Sequence, residues 1–160
     1  MKAGWGLASP LSEKQKIVWS LLGAGLSAAT VASKLGSTRQ FVNQTKLAAE
    51  AKLSASLLDA AQANHLQTIR LDSKKGILLG YHPGIDRKAV VTYSIRYGIK
   101  VWYWYDNPEA VTDKEFLGQT RRYLLELAKE RHINTSGLKS VHPGKLAQFV
   151  FSDLVPELKE

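Results

Sequence analysis

The sequence predicts an α+β protein: an N-terminal all-α domain joined by a long helix to a small α+β domain. Two observations carry this. From Leu11 to Ala63 there is no Pro, Tyr or His, and Ala, Leu, Ser, Lys and Gln dominate, which is helical composition. From Leu66 to Asp106 the chain turns to Ile, Val, Tyr and Trp punctuated by Gly and Pro, which reads as strands and turns. The change falls at residues 63–66, so the expected domains are 1–63 and 64–160. No Gly/Ser-rich linker intervenes, and the last N-terminal helix is expected to run straight into the second domain.

Capping patterns set the first elements. Ser12 with Gln15 is a capping box, opening a helix expected to bury Ile17, Val18, Leu21 and Leu22 and to stop at Gly23 and Gly25. Ser27 caps a short helix with Val31, Ala32 and Leu35 on one face, ended by Gly36 as a left-handed residue. Ser37 with Gln40 repeats the capping box and opens a third helix, beginning at Ser37 or Thr38. No Gly or Pro occurs between Ser37 and Gly76, so this helix is long, reaching about Ala63. Along it Leu47, Ala51, Ser54, Leu58 and Ala61 recur at alternating spacings of four and three, with Leu53 and Leu57 flanking them, a seam suited to a second helix or to the protein's own second domain.

In the second half, Gln67–Asp72 and Ile77–Tyr81 flank Ser73-Lys74-Lys75-Gly76 as a hairpin, and Ile99–Tyr105 is a strand. Ala89–Arg96 fits two states: its β-branched content favours a strand, whereas Asp86 as N-cap and Gly98 as C-cap favour a helix. Thr112 with Glu115 caps a helix to about Arg131 that buries Phe116, Leu117, Leu124, Leu127 and Ala128. Lys145–Leu154 reads as a terminal helix.

Composition bounds the function. The net charge of +8 suits a polyanionic partner, because each Lys or Arg placed on a phosphate releases condensed counterions. Each half of the chain carries +4, so charge alone does not locate the contact. With no cysteine there is no disulfide, zinc finger or thiol nucleophile. No apolar run approaches the ~20 residues a membrane span needs, and the N-terminus lacks the apolar core of a secretory signal, so the expected location is the cytoplasm. Neither a phosphate loop, a nucleophile elbow, an HExxH motif nor a catalytic acidic cluster is present, and no enzyme activity or cofactor is expected. Asp106, Glu109, Asp113 and Glu115 lie close in sequence, but the last two sit where a helix start favours acidic groups.

The segment with the clearest chemistry is GLSAATVASKLGSTRQFVNQTK, residues 25–46. It has the parts of a helix-turn-helix: a short helix with a small inner residue, Ala32, a Gly36 turn, and a second helix anchored by Val42 with Phe41 beside it. That anchoring leaves Thr38, Arg39, Gln40, Asn43, Gln44 and Lys46 outward. Arg reads guanine O6 and N7, and Asn or Gln pairs with adenine N6 and N7. Ser37 and Thr38 at the helix start suit a phosphate. The expected partner is double-stranded DNA, read by a transcriptional regulator. A single reading helix covers few base pairs, so a homodimer is expected as well. A regulator needs an input, so the C-terminal domain is expected to sense a small-molecule effector or to dimerise.

Residues 11–53, LSEKQKIVWSLLGAGLSAATVASKLGSTRQFVNQTKLAAEAKL, resemble the sigma-region-four and LuxR-type helix-turn-helix group. Within it they look most like the archaeal Tfx family of transcriptional regulators, in which such a motif continues in a long helix and then a small α+β domain. Arg96-Tyr97-Gly98-Ile99-Lys100-Val101 is similar to a glycine-then-strand segment of that second domain. Ala28 and Ala29 depart from the family, whose second helix opens with polar and acidic residues. The resemblance implies a DNA-binding regulator.

Other features carry weaker expectations. Trp102-Tyr103-Trp104-Tyr105 alternates on a strand and offers rings on which bases of RNA or single-stranded DNA can stack, although a central strand covered on both faces accounts for the rings as well. His-Pro-Gly occurs at His82-Pro83-Gly84 and His142-Pro143-Gly144, a duplicated turn that with Asp86 offers three metal-ligand side chains, too few and too scattered to assign a metal. His65 and His132 have no sequence partner and are expected to be packed or exposed.

Overall fold

The computed structural model describes residues 9–105 and 113–159, so Asp106, Glu109 and Thr112 lie outside the described residues. Among those residues the chain forms five α-helices and a four-stranded sheet, a mixed α+β fold. The chain divides into two compact units, Met1–Trp102 and Tyr103–Glu160. The expected division at residues 63–66 is therefore not where the packing divides: the sheet packs with the N-terminal helices.

In the first unit, helix α1 (Glu13–Gly23) opens with the expected capping box: the Gln15 amide donates to Ser12 Oγ at 3.3 Å, and the Ser12 amide donates to Gln15 Oε1 at 2.9 Å. It ends at Gly23 with Ala24 as its C-cap, and the left-handed Gly25 (φ 95°) turns the chain so that Leu26 N–H donates back to the Leu21 carbonyl. Helix α2 (Ala28–Leu35) is capped by Ser27 and closed by Gly36 in the left-handed conformation (φ 61°, ψ 40°). The Ser37 amide donates to the Ala32 carbonyl at 2.9 Å, completing that closure. Helix α3 (Arg39–Ala63) therefore starts one residue later than the Ser37/Gln40 box predicts, and its N-cap is Thr38. Asn64 and His65 end it, with His65 at φ 59° and Leu66 N–H donating to the Ala61 carbonyl at 2.9 Å.

Two apolar clusters hold these helices. Val18, Val31, Ala32 and Val42 form one, covered by Leu21, Leu22, Leu26 and Ala28, and it fixes α2 against the first turns of α3. Leu11, Trp19, Ala49, Leu53 and Tyr93 form the other, with Ile95 and Ile99, and it joins α1 and α3 to the sheet. Trp19, absent from the expected core, is buried; Ile17, expected inside, is 45% exposed. On α3 the buried residues are Val42, Ala49, Leu53, Leu57 and Ala61. Of the expected seam, Leu47, Ala51 and Leu58 are exposed, so those residues do not pack on the protein's own second domain, whereas Ala61 and the flanking Leu53 and Leu57 are buried.

The sheet is a meander of β1 (Gln67–Asp72), β2 (Ile77–His82), β3 (Arg87–Ser94) and β4 (Gly98–Tyr103), in that spatial order. Strands β1 and β2 pair antiparallel as the expected hairpin, with an irregularity between Thr68 and Arg70. The ambiguous Ala89–Arg96 segment is strand β3 as far as Ser94, paired antiparallel with β2 from Ile77↔Thr92 to His82↔Arg87. Asp86 does not cap a helix: it sits at φ 52° in the β2–β3 turn and accepts the Tyr81 hydroxyl at 2.6 Å. The strands buried on both faces are β2 and β3, in which Ile77–Gly80 and Ala89–Ser94 are buried without a break. The aromatic run instead lies on β4 at the sheet edge and just beyond it, half-buried, with Tyr105 48% exposed. β2 carries Gly80 because a Cβ there would meet Leu66 Cβ at 3.0 Å.

In the second unit, helices α4 (Lys114–Glu130) and α5 (Pro143–Leu154) pack together, followed by a short 3-10 turn at Pro156–Lys159. The N-cap of α4 is Asp113, whose Oδ1 accepts the Phe116 amide at 2.8 Å. Tyr123, Leu124, Leu127 and Ala128 are buried, Leu117 is half-buried, and Phe116, expected in the core, is 48% exposed. His132 ends α4 as His65 ends α3, left-handed at φ 59° with the next residue's amide donating back to Ala128. Arg121 ties the connection to α4, its guanidinium donating to the Lys139 and Val141 carbonyls.

Candidate nucleic-acid interface

The start of α3 is built by local chemistry. Thr38 Oγ1 accepts the Phe41 amide at 3.0 Å, satisfying one of the donors a helix start leaves without a partner. Lys14 of α1 lies over the Phe41 ring at 5.4 Å, and Val42 is fully buried in the helical cluster. With positions 41 and 42 turned inward, helical periodicity turns 39, 40, 43 and 44 outward, and all four are exposed.

Arg39, Gln40, Asn43 and Gln44 line one concavity with Leu47 and, from the start of α2, Ser27, Ala28 and Ala29. Ala28 and Ala29 present only small side chains to this concavity. Ser37 and Thr38 are exposed in the turn at its head. Lys46 is half-buried and lines an adjoining hollow with Trp19, Leu22, Gly23, Ala28, Asn43, Glu50 and Lys74. Ala28 and Asn43 border both, so the two concavities run together along α3. Five of the seven expected site residues thus line one continuous surface, and Ser37 and Thr38 stand in the turn above it.

Sequence reasoning missed Lys74, which comes from the β1–β2 hairpin rather than from the helical segment. Two adjacent lysines at a hairpin tip were the available signal. What makes Lys74 part of this surface is a long-range contact: Trp19 Nε1 donates to the Ser73 carbonyl at 3.1 Å, fastening the hairpin to α1.

The two His-Pro-Gly segments share one hydrogen bond in different settings. In each the imidazole Nδ1 accepts the amide of the glycine two residues on, at 3.1 Å for His82 and 3.0 Å for His142. The first lies in the β2–β3 turn, and the second caps α5 with Pro143 in its first turn. This structural use accounts for both motifs. Among the described residues no three His, Asp or Glu side chains gather as a metal site would require.

No family model, no curated protein and no solved structure matches this chain. Among the described residues no helix is long and apolar enough to cross a membrane.

Proposed function

We propose that the protein is a sequence-specific regulator that binds double-stranded DNA, with α2 and α3 as a helix-turn-helix and α3 in the major groove. The observation that carries the reading is the joint exposure of Arg39, Gln40, Asn43 and Gln44 on the first two turns of a helix anchored by buried Val42. An Arg fork and three amides on one helical face supply the donors and acceptors that distinguish base pairs in that groove. The net charge of +8 and the resemblance of residues 11–53 to the sigma-region-four and LuxR-type group support the same reading, which assigns the protein to the cytoplasm.

Selection from a pool of random duplexes tests this. An enriched motif is expected, and Arg39→Ala costs roughly 1–3 kcal/mol at one base pair while relaxing specificity there. A pool that yields no motif defeats the reading. The rival use, single-stranded nucleic acid stacked on the aromatics of β4, gains from their position at a sheet edge. The same assay separates the two: Trp102→Ala and Trp104→Ala leave duplex binding intact here and abolish nucleic-acid binding under the rival.

The reader acts as a homodimer in this proposal, because a single module buries only ~600–1,000 Å² on DNA. The exposed side of α3 beyond the reading turns, with Leu58 43% accessible, is the surface offered to the second copy. Sedimentation at micromolar concentration gives a dimer that Leu58→Lys dissociates. A monomer that protects a single asymmetric site refutes the pairing.

A further inference from the structure

Lys74 stands beside the reading helix, yet belongs to a hairpin loop far from it in sequence. We propose that the β1–β2 loop is a second DNA contact, in which Lys74, with Lys46, grips the phosphate backbone flanking the groove that α3 reads. The inference rests on the duplex-binding reading above and adds to it a site that residues 25–46 alone do not contain.

Three observations place this loop. Lys74 shares a hollow with Lys46 and Asn43 of α3, and that hollow is continuous with the concavity of Arg39, Gln40 and Gln44. Lys46 lies about 10 Å along the helix axis from Arg39, at the far end of the reading turns. The loop is also held at both ends and in the middle. The Trp19 indole donates to the Ser73 carbonyl at 3.1 Å, the Lys75 amide donates to Asp72 Oδ1 at 3.1 Å, and the Tyr93 amide donates to the Gly76 carbonyl at 2.8 Å. Gly76 takes the left-handed conformation (φ 66°) that the turn requires. Lys74 is thus an exposed cation on a fastened loop, presented without the ordering cost of a mobile one.

Geometry selects the phosphates as its target. A helix with its side chains is about 10–12 Å across and the major groove is about 12 Å wide, so a reading helix fills the groove. A group carried on the flank of that helix by a separate element meets the groove wall, which is sugar and phosphate. Lysine suits this place, as a compact point charge on a flexible stem. Glu50 is the acidic side chain among the residues lining the hollow, and it opposes an incoming phosphate. Trp19 is a positioning residue: it touches no nucleic acid and acts by fixing Ser73.

The test uses the full chain and two labelled duplexes, one carrying the selected motif and one of random sequence, titrated across a range of salt. Lys74→Ala weakens both by the same factor and lowers the salt slope by about 0.9, so the wild-type advantage shrinks roughly 3-fold between about 50 and 200 mM salt. Glu50→Gln tightens binding to both. Trp19→Phe keeps a buried ring but removes the indole donor, and it moves affinity and salt slope in the direction of Lys74→Ala. If Arg39→Ala relaxes specificity while Lys74→Ala changes neither affinity nor slope, the loop contact is wrong and the duplex reading stands. If Lys74→Ala changes the selected sequence itself, the loop reads bases and the phosphate assignment is overturned. If neither duplex binds, the inference falls together with the reading beneath it.

Discussion

Truncating Leu53 asks whether the helices and the sheet form one cooperative structure. Leu53 is fully buried on α3 in the cluster that also holds Leu11 and Trp19 of the N-terminal segment and Tyr93 of β3. Leu53→Ala removes the contacts joining three elements and leaves a cavity that the facing Trp19–Tyr93 pair, edge to face at 5.4 Å, is too rigid to fill. A loss of about 3 kcal/mol is expected, near the middle of the range for buried leucines. Leu58→Ala on the same helix removes a side chain 43% exposed and costs about 0.5 kcal/mol or less in the monomer. Amide hydrogen exchange resolves the effect by segment. Each 1.4 kcal/mol is tenfold, so amides whose exchange needs the first unit to open should exchange about 100-fold faster in Leu53→Ala. The acceleration should appear in α3 and in β3 alike. Faster exchange confined to α1–α3, with β3 unchanged, would sink the argument and restore a boundary near residue 64. Equal costs for Leu53→Ala and Leu58→Ala would do the same.

Gly36→Ala forces a Cβ into the left-handed conformation but meets nothing within 4 Å, so its cost is backbone strain alone, about 1–2 kcal/mol, read as a lowered unfolding midpoint. Thr92 Oγ1 is buried with no hydrogen-bond partner among the described residues, so Thr92→Val should stabilise the protein by roughly 1 kcal/mol; a destabilised variant would mean that the hydroxyl is satisfied. The Tyr81 phenol donates to the Asp86 carboxylate, which raises its ionisation above 10.0. Because the folded value is the higher one, this contribution to stability is complete below pH 10.0 and is lost as pH rises through the folded value. Tyrosinate absorbance compared with Tyr81→Phe should show one phenol titrating above 10.0, and a midpoint at or below 10.0 would contradict the bond.

The parts of the fold legible in the sequence are those decided within a few residues. Ser12 with Gln15, Ser27 and Gly36 act on amides and carbonyls three to five positions away, and each sits where its pattern places it. Ser37 shows where that reading stops. Both Ser37 and Thr38 are good caps, and the choice was made by the preceding helix, which uses the Ser37 amide for its own closure. The faces of α3 show it again. The stripe Leu47–Ala51–Leu58 and the stripe Ala49–Leu53–Leu57–Ala61 are both helical in period, and only the position of the sheet decides which is buried. The composition change near Asn64 marks a change of secondary structure; it carries no information on what packs against what, and the packing crosses it through Leu53 and Tyr93. The aromatics of β4 suggested a central strand because large rings dominate cores, but strand order comes from non-local pairing, which placed them at an edge.

The candidate site divides along the same line. Arg39, Gln40, Asn43 and Gln44 were legible because one local fact, the inward anchor at Val42, fixes the orientation of the whole helix start. Lys74 was not, since its place depends on a hydrogen bond spanning 54 positions, from the Trp19 indole to the Ser73 carbonyl. Trp19 connects the two levels. Its ring belongs to the cluster that seats α3 on the sheet, while its N–H sets the hairpin beside the helix. One buried side chain therefore positions both the hairpin that carries Lys74 and the helix that carries Arg39. In the proposed reader, any shift of the sheet relative to α3 moves Lys74 against Arg39, which couples the packing of the unit to the spacing of its two DNA contacts.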